Sequence, residues 1–98
     1  MEYKIEIEPF AYAQIIESVS FLKNVSFDAA EKLYKEIMDS IQSLCTMPFR
    51  YPIDDTYRVA TEEERKMVLA NGKYFILYSI DNESVIVEYF HDSRRNNL

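Results

Sequence analysis

The chain is 98 residues long, has a formal net charge of −6 and contains one Gly, one Cys and one His. One glycine excludes glycine-rich phosphate-binding loops, and one Cys with one His excludes a closed zinc site of sulfur and imidazole ligands, so we expect no metal or other cofactor. No apolar run approaches the roughly 20 residues that span a bilayer. The length and the 48% apolar content predict one globular domain over residues 1–98. A single Cys excludes an intramolecular disulfide, which fits a cytosolic protein, and we expect no membrane contact.

The negative charge is unevenly distributed along the chain. Residues 1–49 have a net charge of −4, residues 50–64 of −3 and residues 65–98 of +1. Such an acidic protein lacks the basic surplus with which nucleic-acid-binding domains displace counterions from phosphates. The charge balance therefore disfavours a general nucleic-acid binder, and it places any anion-binding site in the last third of the chain.

The first quarter of the chain changes from a strand pattern to a helix pattern. Residues 2–8 alternate between charged and apolar side chains, which predicts a half-buried strand with one side formed by Tyr3, Ile5 and Ile7. Pro9 ends this strand and suits the first turn of a helix. Residues 10–23 then repeat apolar side chains at helical spacing, which predicts an amphipathic helix buried through Ala11, Ile15, Val19 and Leu22.

A second helix is the strongest pattern in the sequence. Apolar residues recur at helical spacing from residue 30 to residue 44, and charged residues occupy the opposite side. We predict Ser26 as its N-cap and an end near residues 46–47, where a proline follows. Glu31 and Lys35 are predicted to form an i,i+4 ion pair. The short connection between the two helices predicts an antiparallel hairpin.

The second half of the chain predicts a loop followed by three strands. Residues 47–64 are irregular, with a short strand or surface crossing at residues 57–59. Residues 65–91 then predict three strands, and Asn71 with Gly72 favours a type I′ turn between the first two, because both central positions need positive φ. In the last strand, alternation places four residues on one face: Val85, Val87, Tyr89 and His91. The order β-α-α-β-β-β predicts an α+β fold, in which a helical hairpin packs on a mostly antiparallel four-stranded sheet.

The candidate functional residues lie in the last third of the chain. His91 closes the final strand, and its imidazole is suited to acid–base chemistry near neutral pH. Arg94 and Arg95 follow it, and Arg65 with Lys66 begins the first of the three strands, so these cations are the candidates for meeting an anion. Each also has a plain structural interpretation, as a surface histidine, a solvated tail or local charge balance. Because neighbouring strands are antiparallel, the sequence does not bring Arg65 and His91 together.

Three stretches carry a family resemblance when they are taken in order: YKIEIEPFAYAQIIESVSFL, AAEKLYKEIMDSIQSLCTMP and RKMVLANGKYFILYSIDNESVIVEYFHDSRRN. Over nearly the whole chain they resemble the RelE/ParE toxin superfamily. The resemblance implies the toxin of a type II toxin–antitoxin system, of the kind linked to plasmid stabilisation. Such a toxin is a cytoplasmic, growth-inhibiting protein that a cognate antitoxin holds inactive.

The superfamily has two activities, and the resemblance can be tested at the nuclease positions. RelE-like members cut mRNA in the ribosome without a metal ion, whereas ParE-like members inhibit DNA gyrase and lack the nuclease residues. RelE-like enzymes tend to place two alternating lysines in the first strand after the helices, and here those positions are Lys66 and Val68. They also tend to place an Arg after the Tyr that opens the central strand, and here that position is Phe75. The Phe removes a donor that would stabilise the charge developing on the scissile phosphate.

These departures favour the ParE-like side, a protein that inhibits gyrase by binding and is not an enzyme. Two other functions stay open: a RelE-like, ribosome-dependent mRNA endonuclease, and a family member without activity. In the nuclease, the catalytic residues would be His91, Arg65 and Arg94. The candidate binding residues are Lys66, Tyr89 and Arg95. The expected partners are an antitoxin and either gyrase or the ribosome with its mRNA, and a homodimer stays open.

Overall fold

A computed structural model describes residues 2–54 and 63–93 of the chain, which form two helices and four strands. The predicted β-α-α-β-β-β order and the α+β fold are confirmed. The predicted strand or crossing at residues 57–59 lies outside the described residues, as do Arg94 and Arg95. In chain order the elements are β1 Lys4–Ile7, α1 Pro9–Lys23, α2 Phe27–Ser43, β2 Arg65–Leu69, β3 Tyr74–Asp81 and β4 Ser84–Asp92.

The four strands form one mixed sheet in the order β1-β4-β3-β2. β1 pairs with β4 in parallel, and the other two pairings are antiparallel. The helical hairpin covers one face of the sheet, which we call the inner face, and we call the opposite face the outer face. β3 lies between two strands and is buried from Tyr74 to Ser79, as its apolar sequence predicts.

Local signals in the sequence set where the helices begin. α1 begins at Pro9, whose fixed φ and missing N–H suit a first helical turn. α2 is capped by Ser26, as predicted, because its Oγ accepts a hydrogen bond from the Ala29 N–H at 3.2 Å. Within residues 2–54 and 63–93, neither helix combines the length and apolar character needed to cross a bilayer.

Two predictions about α2 are wrong in detail. The helix ends at Ser43 rather than near residues 46–47, because the following residues form tighter i→i−3 turns, such as the 3.0 Å bond from the Leu44 N–H to the Ile41 C=O. The predicted ion pair of Lys35 with Glu31 does not form. Lys35 Nζ lies instead 2.9 Å from Asp39 Oδ2, one turn further along the helix.

The core lies between the inner face and the helices. α1 buries Ala11 and Ile15 fully and Val19 and Leu22 in part, which confirms its predicted buried side. Its opposite side is also apolar, since Phe10, Tyr12, Ile16 and Phe21 are exposed. α2 contributes Leu33, Ile37 and Ile41, and its C-cap Leu44 is also buried, as the helical spacing over residues 30–44 predicts. The sheet contributes further large core side chains, which are Met67, Leu69, Tyr74, Ile76, Tyr78, Val85, Val87 and Phe90.

The connection from β2 to β3 contains the predicted Asn-Gly turn. Asn71 and Gly72 both have positive φ, at 57° and 90°, and the Lys73 N–H donates to the Ala70 C=O at 3.2 Å. Ala70 also has a positive φ of 51°. The run of residues before Asn71 predicts a strand over residues 65–70, but the positive φ of Ala70 ends β2 at Leu69.

A β-bulge interrupts the pairing of β3 with β4. Leu77 lies opposite Tyr89, whereas the next residue of β3, Tyr78, lies opposite Val87. Glu88 is therefore an extra residue in β4, and two successive residues of the bulged strand face the same side of the sheet.

The bulge decides which face the end of β4 presents. Val85 and Val87 are fully buried on the inner face, and beyond the bulge Phe90 takes the inner position. Tyr89 and His91 therefore lie on the outer face. The prediction that Val85, Val87, Tyr89 and His91 share one face is wrong, because a strict period of two does not survive an inserted residue.

Candidate functional site

Side chains from four elements meet on the outer face and form what we call the aromatic patch. β3 contributes Phe75, β2 contributes Lys66, and the bulge turns Tyr89 and His91 of β4 toward them. Phe10, at the start of α1, reaches the same cluster beside Tyr89. The patch therefore contains three of the residues that the sequence suggested, together with Phe75 and Phe10.

The rings of the patch are in mutual contact. The centroid of the Phe75 ring lies 5.1 Å from that of His91 and 6.2 Å from that of Tyr89. The Tyr89 and His91 rings are nearly parallel, at 6.0 Å and 10°, and Phe10 stacks on Tyr89 at 6.2 Å. Lys66 Nζ lies 4.5 Å from the centre of the Phe75 ring, a cation–π contact. Phe75 itself is only 6% exposed, whereas Tyr89, His91 and Lys66 are partly exposed and Phe10 is 61% exposed. Among the described residues, the patch is therefore a buried ring bordered by partly exposed aromatic side chains and by the ammonium group of Lys66.

Two hydrogen bonds hold β4 in its bulged shape next to the patch. Ser79 Oγ donates to Glu88 Oε2 at 3.1 Å, which ties the extra residue to β3. The Phe90 N–H donates to Gln14 Oε1 of α1 at 3.2 Å, beyond the point at which β1 ends its pairing. These contacts come from β3 and α1, so the direction of Tyr89 and His91 depends on long-range packing.

Arg65 lies elsewhere, under the segment that follows α2. Its Nη1 donates to the Tyr51 C=O at 2.7 Å, and its guanidinium lies 5.1 Å from the centre of the Phe49 ring. Arg50 lies close by, 4.9 Å from the Tyr51 ring, and donates to Ser43 Oγ at 2.9 Å. The described contacts of Arg65 are those of a residue that fastens a loop to the sheet.

The structure does not bring Arg65 and His91 together. Arg65 pairs with Tyr78, whereas His91 pairs with Phe75, which is three residues away on β3. From ordinary strand spacings this is roughly 10 Å along the strands and roughly 10 Å across them. Arg65 is two residues from the buried Met67 in β2, so both side chains lie on the inner face of the sheet. His91 lies on the outer face.

A cleft of about 540 Å³ borders Arg65, and its electrostatics differ from those of a phosphate site. Besides Arg65, its charged lining residues are Glu63 and Asp81. Two carboxylates facing one guanidinium disfavour the entry of an anion. Within residues 2–54 and 63–93, no group of three or more His, Cys, Asp or Glu side chains is arranged to hold a metal ion.

Phe10 and Arg50 contact the residues described above, but neither is predicted from the sequence as a site residue. Phe10 follows Pro9 on the side of α1 away from the predicted buried stripe, and an apolar residue in that position was the available signal. Arg50 lies in the irregular segment after α2, where no periodicity predicts its direction. Its contact with Tyr51 follows only from the folded loop.

The fold matches that of a solved toxin–antitoxin structure. A comparison with solved structures finds a chain of the "Chromosomal ParDE TA system from P. aeruginosa", with a TM-score of 0.75 and 9% sequence identity. The match covers 93% of this chain and 96% of that chain. No protein-family model and no curated protein matches the sequence. The chain therefore has a ParE-like fold, which confirms the fold implied by the resemblance to the RelE/ParE superfamily.

Proposed function

We propose that residues 1–98 form a ParE-like toxin, which inhibits DNA gyrase by binding and is neutralised by a cognate antitoxin. The fold shared with the ParDE structure supports the toxin class. The net charge of −6 favours a protein target over RNA, since no basic surplus is present to displace counterions.

The observation that carries the choice between gyrase and mRNA is Phe75 at the centre of the aromatic patch. RelE-like nucleases tend to have an Arg at this position, and a phosphate-binding site needs such a donor. Here the ring packs against His91 and Lys66, at 5.1 and 4.5 Å. Within residues 2–54 and 63–93, Lys66 is the cation whose contact with this cluster is described. We infer that such an aromatic cluster suits contact with a protein surface better than phosphoryl chemistry, because aromatic anchors dominate protein interfaces.

A supercoiling assay tests the gyrase proposal. Purified, antitoxin-free protein is expected to inhibit supercoiling of relaxed plasmid by gyrase. Tyr89→Ala in the patch is expected to weaken inhibition at least tenfold. The matched control is Tyr12→Ala, which removes an exposed tyrosine from the helical side of the molecule and is expected to inhibit like the wild type. Absence of inhibition by the folded wild-type protein would refute the proposal.

One observation favours the ribosome-dependent endonuclease as a second candidate. Lys66 and His91 both contact Phe75, so a cation and an imidazole, each partly exposed, border the same buried ring on the outer face of the sheet. This candidate predicts cleavage of translated mRNA, detected by primer extension, that is lost in His91→Ala and weakened in Lys66→Ala. If cleavage persists in His91→Ala, the imidazole has no catalytic role.

Both candidates predict growth arrest on expression of the chain alone and a partner that relieves it. The expected partner is encoded by a short neighbouring reading frame with a DNA-binding N-terminal region. Co-expression of the two is expected to restore growth, and the purified partner is expected to reverse inhibition of gyrase. Normal growth during expression of the soluble, folded chain alone would instead support a family member without activity.

A further inference from the structure

The bulge in β4 adds one charged residue to the outer face. Glu88 is the extra residue, and it faces outward next to Tyr89 in the aromatic patch. Ser79 Oγ donates to its Oε2 at 3.1 Å, so the carboxylate is held at the sheet surface by β3. In a regular strand, one outward residue would separate the inward residues Val87 and Phe90. Here two outward residues, Glu88 and Tyr89, lie between them because of the bulge.

Without Glu88, the aromatic patch is similar to a surface that binds single-stranded nucleic acid. Stacked rings on an open sheet face, with a cation beside them, are the features on which such proteins stack successive bases and hold phosphates. Here the partly exposed rings of Tyr89 and His91 are parallel within 10°, and the ammonium group of Lys66 lies 4.5 Å from the buried Phe75 ring beside them. The patch therefore needs a feature that prevents adventitious binding of RNA or DNA if it serves a protein target.

We propose that Glu88 is a specificity-determining residue that excludes nucleic acid from the aromatic patch. Its carboxylate adds a negative charge to the outer face beside Tyr89, and this charge repels a phosphate that follows a base stacked on the Tyr89 ring. The inference rests on the proposed function in one respect, which is that the patch is taken to face a protein. This role would explain why β4 contains the extra residue Glu88 and why Ser79 holds its carboxylate at the sheet surface.

The size of the effect follows from Coulomb's law. A unit charge about 6 Å from a phosphate in water changes affinity by roughly threefold. Removing the charge of Glu88 is therefore expected to strengthen binding by roughly threefold, and reversing it by roughly tenfold. Substitution by Gln isolates the charge, because its amide oxygen still accepts the hydrogen bond from Ser79.

Fluorescence anisotropy with a labelled 12-nucleotide single-stranded RNA tests the proposal without gyrase. Glu88→Gln and Glu88→Lys are expected to raise affinity by the factors above. The controls are Glu83→Gln and Glu83→Lys, which make the same charge changes at the exposed β3–β4 turn and are expected to have smaller effects. In Glu88→Lys, a further Tyr89→Ala substitution is expected to remove the gain, which locates binding at the patch.

Three results would overturn the proposal. The first is wild-type affinity for RNA as high as that of Glu88→Lys. The second is equal gains from the substitutions at residues 83 and 88, which would indicate net charge alone. The third is a gain in Glu88→Lys that survives Tyr89→Ala. None of these RNA-binding measurements involves gyrase. They therefore test the role of Glu88 even if the protein does not inhibit gyrase.

Discussion

The substitution Tyr78→Phe removes a contact that fastens the segment after α2 to the sheet. Tyr78 is 0% exposed in the centre of β3, and its hydroxyl donates to the Pro48 C=O at 2.6 Å. Pro48 is itself buried. The substitution keeps the ring and removes the donor, so a carbonyl inside the protein loses a hydrogen bond and no water replaces it easily.

The expected loss of stability is about 1–2 kcal/mol at pH 7, because a buried hydrogen bond contributes about 0.5–1.5 kcal/mol and an unpaired buried carbonyl costs about 1–3 kcal/mol. With a urea dependence of roughly 1 kcal/mol per molar for a small domain, the unfolding midpoint is expected to fall by about 1–2 M. Tyr12→Phe is the matched control. Its hydroxyl lies 3.1 Å from that of Tyr34 on the exposed helical surface, so a change below about 0.5 kcal/mol is expected.

Tyr78→Phe is also expected to change how the free energy of unfolding depends on pH above pH 10. Burial raises the pKa of Tyr78 above its ordinary value of 10.0, and the positive charges of Arg65 and Arg50 act against this rise. The folded state then keeps a proton that the unfolded state has begun to lose. The resulting stability is fully present below pH 10 and is lost as the pH rises through the folded-state pKa, with a slope of at most about 1.4 kcal/mol per pH unit.

Urea unfolding at pH 7 and at several values above pH 10 measures both effects. The wild type is expected to lose stability with pH more steeply than Tyr78→Phe, so the difference between them shrinks. Equal midpoints at pH 7 would refute the assigned strength of the hydrogen bond to Pro48. Parallel curves above pH 10 would refute the raised pKa of Tyr78.

Three further predictions concern local conformation, and urea unfolding checks each. Ser26→Ala removes the N-cap of α2 and is expected to cost about 1 kcal/mol, whereas Ser26→Asp is expected to restore most of the stability. Ala70→Gly is expected to stabilise the protein by up to about 1 kcal/mol, because Ala70 has a φ of 51° that a residue with a Cβ adopts only with strain. Deletion of Glu88 is expected to leave a folded protein, with a cooperative transition, because Val87 and Tyr89 then alternate regularly and keep the faces they already occupy.

The elements that the sequence predicted are those fixed by short-range patterns. The spacing of apolar residues predicts both helices, and either alternation or, for β3, a continuous apolar run predicts the strands. Ser26 predicts the cap of α2 and Asn71-Gly72 predicts the turn, through their own side-chain and backbone preferences. These signals are local, because a cap or a turn needs only the residues next to it. The end of α2 was misplaced since helical and i→i−3 turns satisfy the same backbone groups at nearly the same cost.

The features that escaped prediction depend on pairing between distant residues. The parallel partner of β1 is β4, at the other end of the chain, and no local pattern in either strand specifies that choice. The bulge at Glu88 exists because β3 and β4 keep their buried residues aligned on both sides of it, with Val87 inward before it and Phe90 inward after it. Register across strands, which a single strand does not encode, therefore decided the direction of Tyr89 and His91.

The same register bears on which chemistry the outer face can perform. A nuclease site that joins Arg65 to His91 requires both groups on one face, and the alternation of β2 places Arg65 with Met67 on the inner face. A shift of β2 by one residue would bring Arg65 outward, but it would also turn Met67 and Leu69 out of the core, at a cost of several kcal/mol. Burial of two apolar side chains thus holds Arg65 away from the aromatic patch. The cation that does reach the patch is Lys66, whose Nζ lies 4.5 Å from the centre of the Phe75 ring, so any anion chemistry on this face has to rely on Lys66 rather than on Arg65.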